Sequence, residues 1–298
     1  MILDARVRHR RGVLLVATGV LIISPDGLLF RLAGDVGLWN AAFLRTLAMG
    51  VCLGIFLLLR HRQQLPGIIF RLGWPGLACA IIVSASNITF VGAFSHTTIA
   101  NTLLMLALMP LFSAVIARLF IAESITLYTW IAIFVAIIGV TLIIGSGYAD
   151  GLGGGTLAGD GLALASSLLL ATNLVILRRY PQVDGVSVLC VAGVISALVS
   201  WPFSDLSVVP FRAIVILIFL GGVIIPAALA LMFRGTYYLP AAEVALFMLI
   251  ETVLGPLWAW LGVGEAPSSW AVVGGAVVVS AIFGNVVLGM RKMRPDST

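Results

Sequence analysis

Lysine is almost missing from this chain: among 298 residues it occurs once, at Lys292. A P-loop needs a lysine on the β- and γ-phosphates, and a retinal or pyridoxal Schiff base needs one inside the fold, so both chemistries are excluded. Charge of either sign is scarce. Asp, Glu, Lys and Arg make up 10% of the residues and hydrophobic side chains 61%, whereas a soluble domain carries about a quarter charged residues. With a mean hydropathy of +1.17, a soluble globular fold is excluded. Histidine occurs three times. His9 and His61 lie in basic flanks and His96 near the end of an apolar run, with no His-Glu-x-x-His motif and no metal-ligand spacing. No catalytic set emerges, and an enzyme, a cofactor and a metal are not expected. Cys52, Cys79 and Cys190 all fall inside apolar runs without paired spacing, the pattern of small buried hydrophobes rather than a disulfide or metal site.

What remains is long apolar runs. Runs of roughly 20 residues fit membrane-crossing helices, whereas a β-barrel would show ten-residue segments of alternating polarity. The sequence is that of an all-α polytopic membrane protein with spans near 13–32, 38–59, 71–92, 97–120, 126–147, 158–178, 185–203, 211–233, 241–263 and 267–289. Met1 to Arg11 is a basic flank and the first run is too long for a signal core, so no cleaved leader is expected. The net charge of +5 does not call for nucleic acid. Fourteen of the 17 basic residues fall on the side of the two termini, which predicts cytoplasmic termini in a multi-pass protein of the cell membrane.

A glycine-rich stretch, Gly151-Leu-Gly-Gly-Gly155, divides the chain at its midpoint. The expected organisation is a five-helix repeat over 1–147, an external linker over 148–157, and a second five-helix repeat with a short basic tail over 158–298. Five is odd, so the second repeat enters the membrane upside down. Inverted repeats place a substrate near the midplane, between the halves.

The most informative run is Glu243 to Glu265. A rise of about 1.5 Å per residue from Ala241 puts Glu251 roughly 15 Å deep, near the middle of a ~30 Å hydrocarbon layer. An acid at that depth is a functional-site hypothesis by default, while Glu243 lies near the membrane entrance. On a helical wheel Phe247, Glu251, Gly255, Trp258 and Gly262 share a stripe. Pro256 removes a donor and frees the carbonyl of Thr252. Glu251 therefore has two readings: a protonated acid that holds the kink, or a carboxylate that takes a substrate ammonium or a coupling proton.

Other polar residues inside the spans also need partners. Pro25 breaks the first span, and Asp26 beside it can face Arg45 of the second as a structural staple, an outer gate or a substrate contact. Asn87 forms a stripe with Ser84 and Val91, Phe90 adds an aromatic edge, and Asn101 lines up with Met105, Leu108 and Phe112. Such amides serve either as glue between helices or as ligand contacts.

Taken in order, Arg45 in Phe43-Leu-Arg45, Pro110, Arg118 and Glu123 of the fourth span, Gly159-Asp160, and Pro256 with Gly264-Glu265 resemble the drug/metabolite transporter superfamily. The branch is the one built from two EamA-type domains. The run from Glu251 to Trp260 is similar to the ninth helix of bacterial aromatic amino acid exporters; Ser24-Pro25-Asp26 departs from the family's usual first-span turn. The resemblance implies ten transmembrane helices, as two inverted five-helix repeats around a central cavity. The implied activity is export of small metabolites by alternating access, with aromatic amino acids the leading substrate class. The partners implied are a small-molecule substrate and the lipid bilayer, that of the inner membrane as for the bacterial exporters, with the protein a monomer. On this reading Glu251, Trp258, Phe247, Asn87, Phe90, Asn101 and Met105 contact substrate, and Asp26, Arg45, Pro25, Pro110, Pro256 and Glu243 form gates or ion pairs. A channel or scaffold without coupled transport is the alternative.

Overall fold

The computed structural model describes residues 2–34, 36–61, 65–97, 102, 105–149, 156–263 and 269–292. Its elements are helical, as lipid demands of a chain whose backbone must satisfy its own hydrogen bonds. The helices are α1 (Ile2–Ile23), α2 (Asp26–Ala33), α3 (Leu38–His61), α4 (Leu65–His96), α5 (Met109–Ile121), α6 (Leu127–Ala149), α7 (Leu157–Arg179), α8 (Gly185–Ser200), α9 (Phe211–Phe219), α10 (Ile225–Gly235), α11 (Ala241–Met248), α12 (Ile250–Val263) and α13 (Ser269–Lys292). Among the described residues six stretches are long and apolar enough to cross a membrane: Val7–Phe30, Leu38–Leu59, Leu72–Ala93, Leu157–Arg179, Gly185–Phe203 and Phe211–Gly235. Met109–Ile121, Leu127–Leu142 and Val272–Leu288 are apolar but shorter.

The spans expected to be continuous are in several places interrupted, each for a local reason. Pro25 has no N–H for the carbonyl of Leu21, and the hydroxyl of Ser24 donates to that carbonyl at 2.8 Å. The chain turns there, and α2 restarts with Leu29 N–H bonded to Pro25 at 2.9 Å. Pro110 stands in the first turn of α5, behind a turn at Ala107 and Leu108. Between α9 and α10, Leu220–Ile224 widens into a π-helical turn just before Pro226. Such a turn absorbs a register that proline disrupts. A last break falls at Leu249, whose N–H reaches back three residues to Leu246 at 3.2 Å.

The packing repeats itself when the two halves of the chain are exchanged. In the first half α4 packs on α7 and α8; in the second the segment from α9 to α10 packs on α1 and α3. Likewise α5 packs on α7 as α11 packs on α1, and α3–α8, α5–α11 and α6–α13 meet across the two halves. Small residues let these backbones approach, as close helix contact in a membrane requires. At Gly193 of α8 a Cβ would stand 2.7 Å from the Gly50 nitrogen and 2.8 Å from the Thr46 carbonyl of α3. At Gly221, in the π-helical turn, it would meet the carbonyl of Arg45.

Polar groups close the two ends. At one, Arg178 of α7 donates from Nε to Glu123 at 3.1 Å and from Nη1 to the carbonyl of Thr236 at 3.0 Å. The Tyr237 hydroxyl donates to the Val183 carbonyl at 2.7 Å, and burial pushes that phenol up. At the other end the Thr97 hydroxyl donates to Asp160 at 2.6 Å, and the Thr156 hydroxyl to the carbonyl of His96 at 2.7 Å. The glycine-tight α3–α8 seam gives a direct test of the packing. Gly193→Ala should lower stability by about 1–3 kcal/mol through overpacking, read as a lower melting temperature of the detergent-solubilised protein. Gly284→Ala, where nothing lies within 4 Å of the new methyl, should leave it unchanged or raise it.

Candidate functional site

Where α1, α3, α4 and α7 meet the segments around the helix breaks, a cavity of ≈ 90 Å³ opens. At about 10–15 Å³ per enclosed water it holds several. Its walls are polar at five places: Asp26, Arg45, the Ser86–Ser166 pair, Asn87 and Glu251. Ile23, Leu106, Ile225, Met248 and Phe90 are among the apolar residues that complete the lining. The breaks place many of these groups. Ile23 and Asp26 bracket the Ser24-Pro25 turn, Leu106 precedes the turn before α5, Ile225 follows the π-helical turn, and Met248 and Glu251 flank Leu249.

The centre of the site is an ion pair. Arg45 Nη2 donates to Asp26 Oδ1 at 3.1 Å and Oδ2 at 3.3 Å, with the side chains 7% and 3% exposed. The guanidinium also lies 5.4 Å from the centroid of the Phe30 ring, within cation–π range. A buried charge stripped of its partner costs several kcal/mol, so the two residues are obligatory to each other. Glu251 feels the charges of both. Ser86 and Ser166 exchange hydrogen bonds between α4 and α7, hydroxyl to hydroxyl at 3.1 Å, and Ser84 joins α4 to α8 through Ser196 at 2.9 Å.

The residues singled out in the sequence are thus distributed over several places. Asp26, Arg45, Asn87, Phe90 and Glu251 meet around the cavity. Phe247 is packed in the apolar core at 4% exposure. The Trp258 indole donates to the Ser24 hydroxyl at 2.8 Å, tying α12 to the turn below Pro25. Met105 precedes the lining residue Leu106, and Pro25 and Pro110 shape the breaks. Glu243 is buried at the far end, in the first turn of α11, where the charges of Glu123 and Arg178 act on it. Asn101 and the side chain of Pro256 lie outside the described residues. Sequence reasoning overlooked Ser86 and Ser166 as lining residues; the available signal was a hydroxyl in each of two otherwise apolar helices.

The family model of the EamA-like transporter family matches the chain twice, over residues 10–145 and 157–287. The chain is 27% identical to the uncharacterized transporter YdfC of Bacillus subtilis (strain 168), over an alignment of 280 residues covering 83% of this chain and 87% of that protein. A protein of known crystal structure superposes with a TM-score of 0.79 over 94% of this chain and 98% of its own, at 18% identity, a likeness of fold. An all-helical chain, matched twice by one family model and packed so that its halves exchange, belongs to the EamA-like transporter family and is a membrane transporter protein.

Proposed function

We propose that this protein is a secondary transporter that exports small amphipathic or aromatic metabolites, aromatic amino acids foremost, by alternating access. The observation that carries the reading is the cavity: three ionisable residues and an amide gathered beside Phe90, with Asp26 and Glu251 at helix breaks, in a chain otherwise poor in charge. Ionisable residues are retained inside membranes where a pathway needs them. A carboxylate at Glu251 suits a substrate ammonium, and Phe90 offers a ring face for an aromatic body. In this reading the chain forms ten spans as two inverted repeats in the inner membrane. Its termini are cytoplasmic, and the Asp26–Arg45 pair and the cluster of Glu123, Arg178 and Glu243 lie toward opposite faces.

Orientation is tested by labelling. In a variant lacking the native cysteines, Leu152→Cys should react with an impermeant maleimide in intact cells and Asp296→Cys only after permeabilisation. Reaction of both from one side would overturn the ten-span arrangement.

Transport is tested by counterflow of labelled aromatic amino acids into proteoliposomes. Glu251→Gln should reduce flux to the level of empty liposomes while membrane insertion and melting temperature stay near wild type. Wild-type flux in that variant, with unchanged pH dependence, would make Glu251 a structural acid.

A further inference from the structure

Arg45 holds Asp26 in an unusual way. A guanidinium normally closes on a carboxylate as a fork, two nitrogens on two oxygens. Here a single nitrogen, Nη2, serves both oxygens of Asp26, and Nη1 is buried with no partner among the described residues. A second donor is in the same state. Asn87 Nδ2, on the neighbouring helix α4, is also buried and has no partner among the described residues. Both residues line a recess of ≈ 10 Å³ together with Thr46, Met49, Phe90 and Ile225, and about one water fits a space of that size. Arg45, Asn87, Phe90 and Ile225 also line the larger cavity, so the two are adjoining parts of one site.

We propose that Arg45 Nη1 and Asn87 Nδ2 form the docking site for the carboxylate of the transported molecule. Buried donors in native proteins have acceptors, and two that share one recess call for an acceptor brought from outside. A cation is excluded beside the arginine. A neutral carbonyl would make the same contacts, but a charged acceptor binds roughly twice as strongly. A phosphate is too large for a recess that accepts one oxygen at a time. The larger cavity opens onto Glu251, an acid that can take an ammonium, so the ligand that satisfies both ends carries a carboxylate and an ammonium a few atoms apart. This rests on the transport reading above and narrows it: flat aromatic cations without a carboxylate are rejected.

The test uses the full-length protein and phenylalanine, phenylalaninamide, phenethylamine and 3-phenylpropionate as competitors of labelled phenylalanine in counterflow. Phenylalanine should compete at least about tenfold better than its amide, the factor that one charge-assisted hydrogen bond implies. Asn87→Asp, nearly isosteric, places an acceptor where the donor stood. It should weaken phenylalanine by a similar factor and the amide by less, because an amide NH2 can donate to the new carboxylate and a carboxylate cannot, so the preference for acid over amide collapses. Equal competition by acid and amide on the wild type, or wild-type affinity in Asn87→Asp, would overturn the proposal, and a recess that holds only water gives that result. If no aromatic amino acid is transported, the aromatic reading fails by itself. The carboxylate site is then decided by thermal stabilisation of the wild type with the other amino acids and their amides. Acid-selective stabilisation by at least one supports it, and none overturns it.

Discussion

A charge in hydrocarbon must meet its counter-charge, and the interior of this protein is arranged around one such meeting. Arg45 projects from the second span, where an isolated arginine would be costly. Asp26 reaches it only because Pro25 ends α1 early and lets α2 start with an acid in its first turn. The opening this break leaves is stabilised locally: the Ser24 hydroxyl takes the carbonyl that Pro25 leaves free and itself receives the indole of Trp258. One ion pair thus fixes how the first span bends and where it touches α12. It also sets the wall shared by α3 and the cavity.

The same constraint acts at the other end with a looser result. Arg178 binds Glu123 and the carbonyl of Thr236, joining the ends of α5, α7 and α10. Its side chain is 27% exposed, and a partly hydrated pair contributes less than a buried one. Glu123 Oε2 and Glu243 Oε2 are buried without partners among the described residues, so two acids compete for one guanidinium. The arrangement has more acceptors than donors, and the cavity recess has more donors than acceptors.

Much of this was legible in the sequence, because lipid reduces the possible architectures to a few. Apolar runs gave the helices, an acid beside a proline and an arginine in the next span gave the Asp26–Arg45 pair, and paired prolines and acids suggested two related halves. The helical wheel was less reliable. It joined Phe247, Glu251 and Trp258 in one stripe, but a wheel assumes an unbroken helix. Leu249 interrupts this one, so Phe247 packs into the core while Trp258 reaches Ser24. No proline or glycine stands at Leu249 to announce the break, and the packing of α11 on α5 is not displayed by a single chain read linearly. Ser86 and Ser166 were hidden for a related reason, since each is unremarkable until its neighbour on the other helix is known.

The breaks themselves explain why the site lies where it does. Irregular backbone at membrane depth exposes carbonyls and N–H groups that lipid cannot satisfy, so it is tolerated only inside protein or against a wet cavity. The Ser24-Pro25 turn, the turn at Ala107 and Leu108, the π-helical turn of Leu220–Ile224 and the break at Leu249 all adjoin residues of the same cavity. Each break gives up helical hydrogen bonds and in return aims side chains inward at angles a continuous helix does not offer. Two of them flank acids, Asp26 and Glu251. A break is also where a helix bends most easily, because fewer bonds resist rotation there. Ile23, Asp26, Leu106, Ile225, Met248 and Glu251 are therefore carried on the joints of the bundle, facing Arg45, Ser86, Asn87 and Ser166 within α3, α4 and α7, and any relative movement of the half-helices changes the cavity's shape and the spacing of its ionisable groups together.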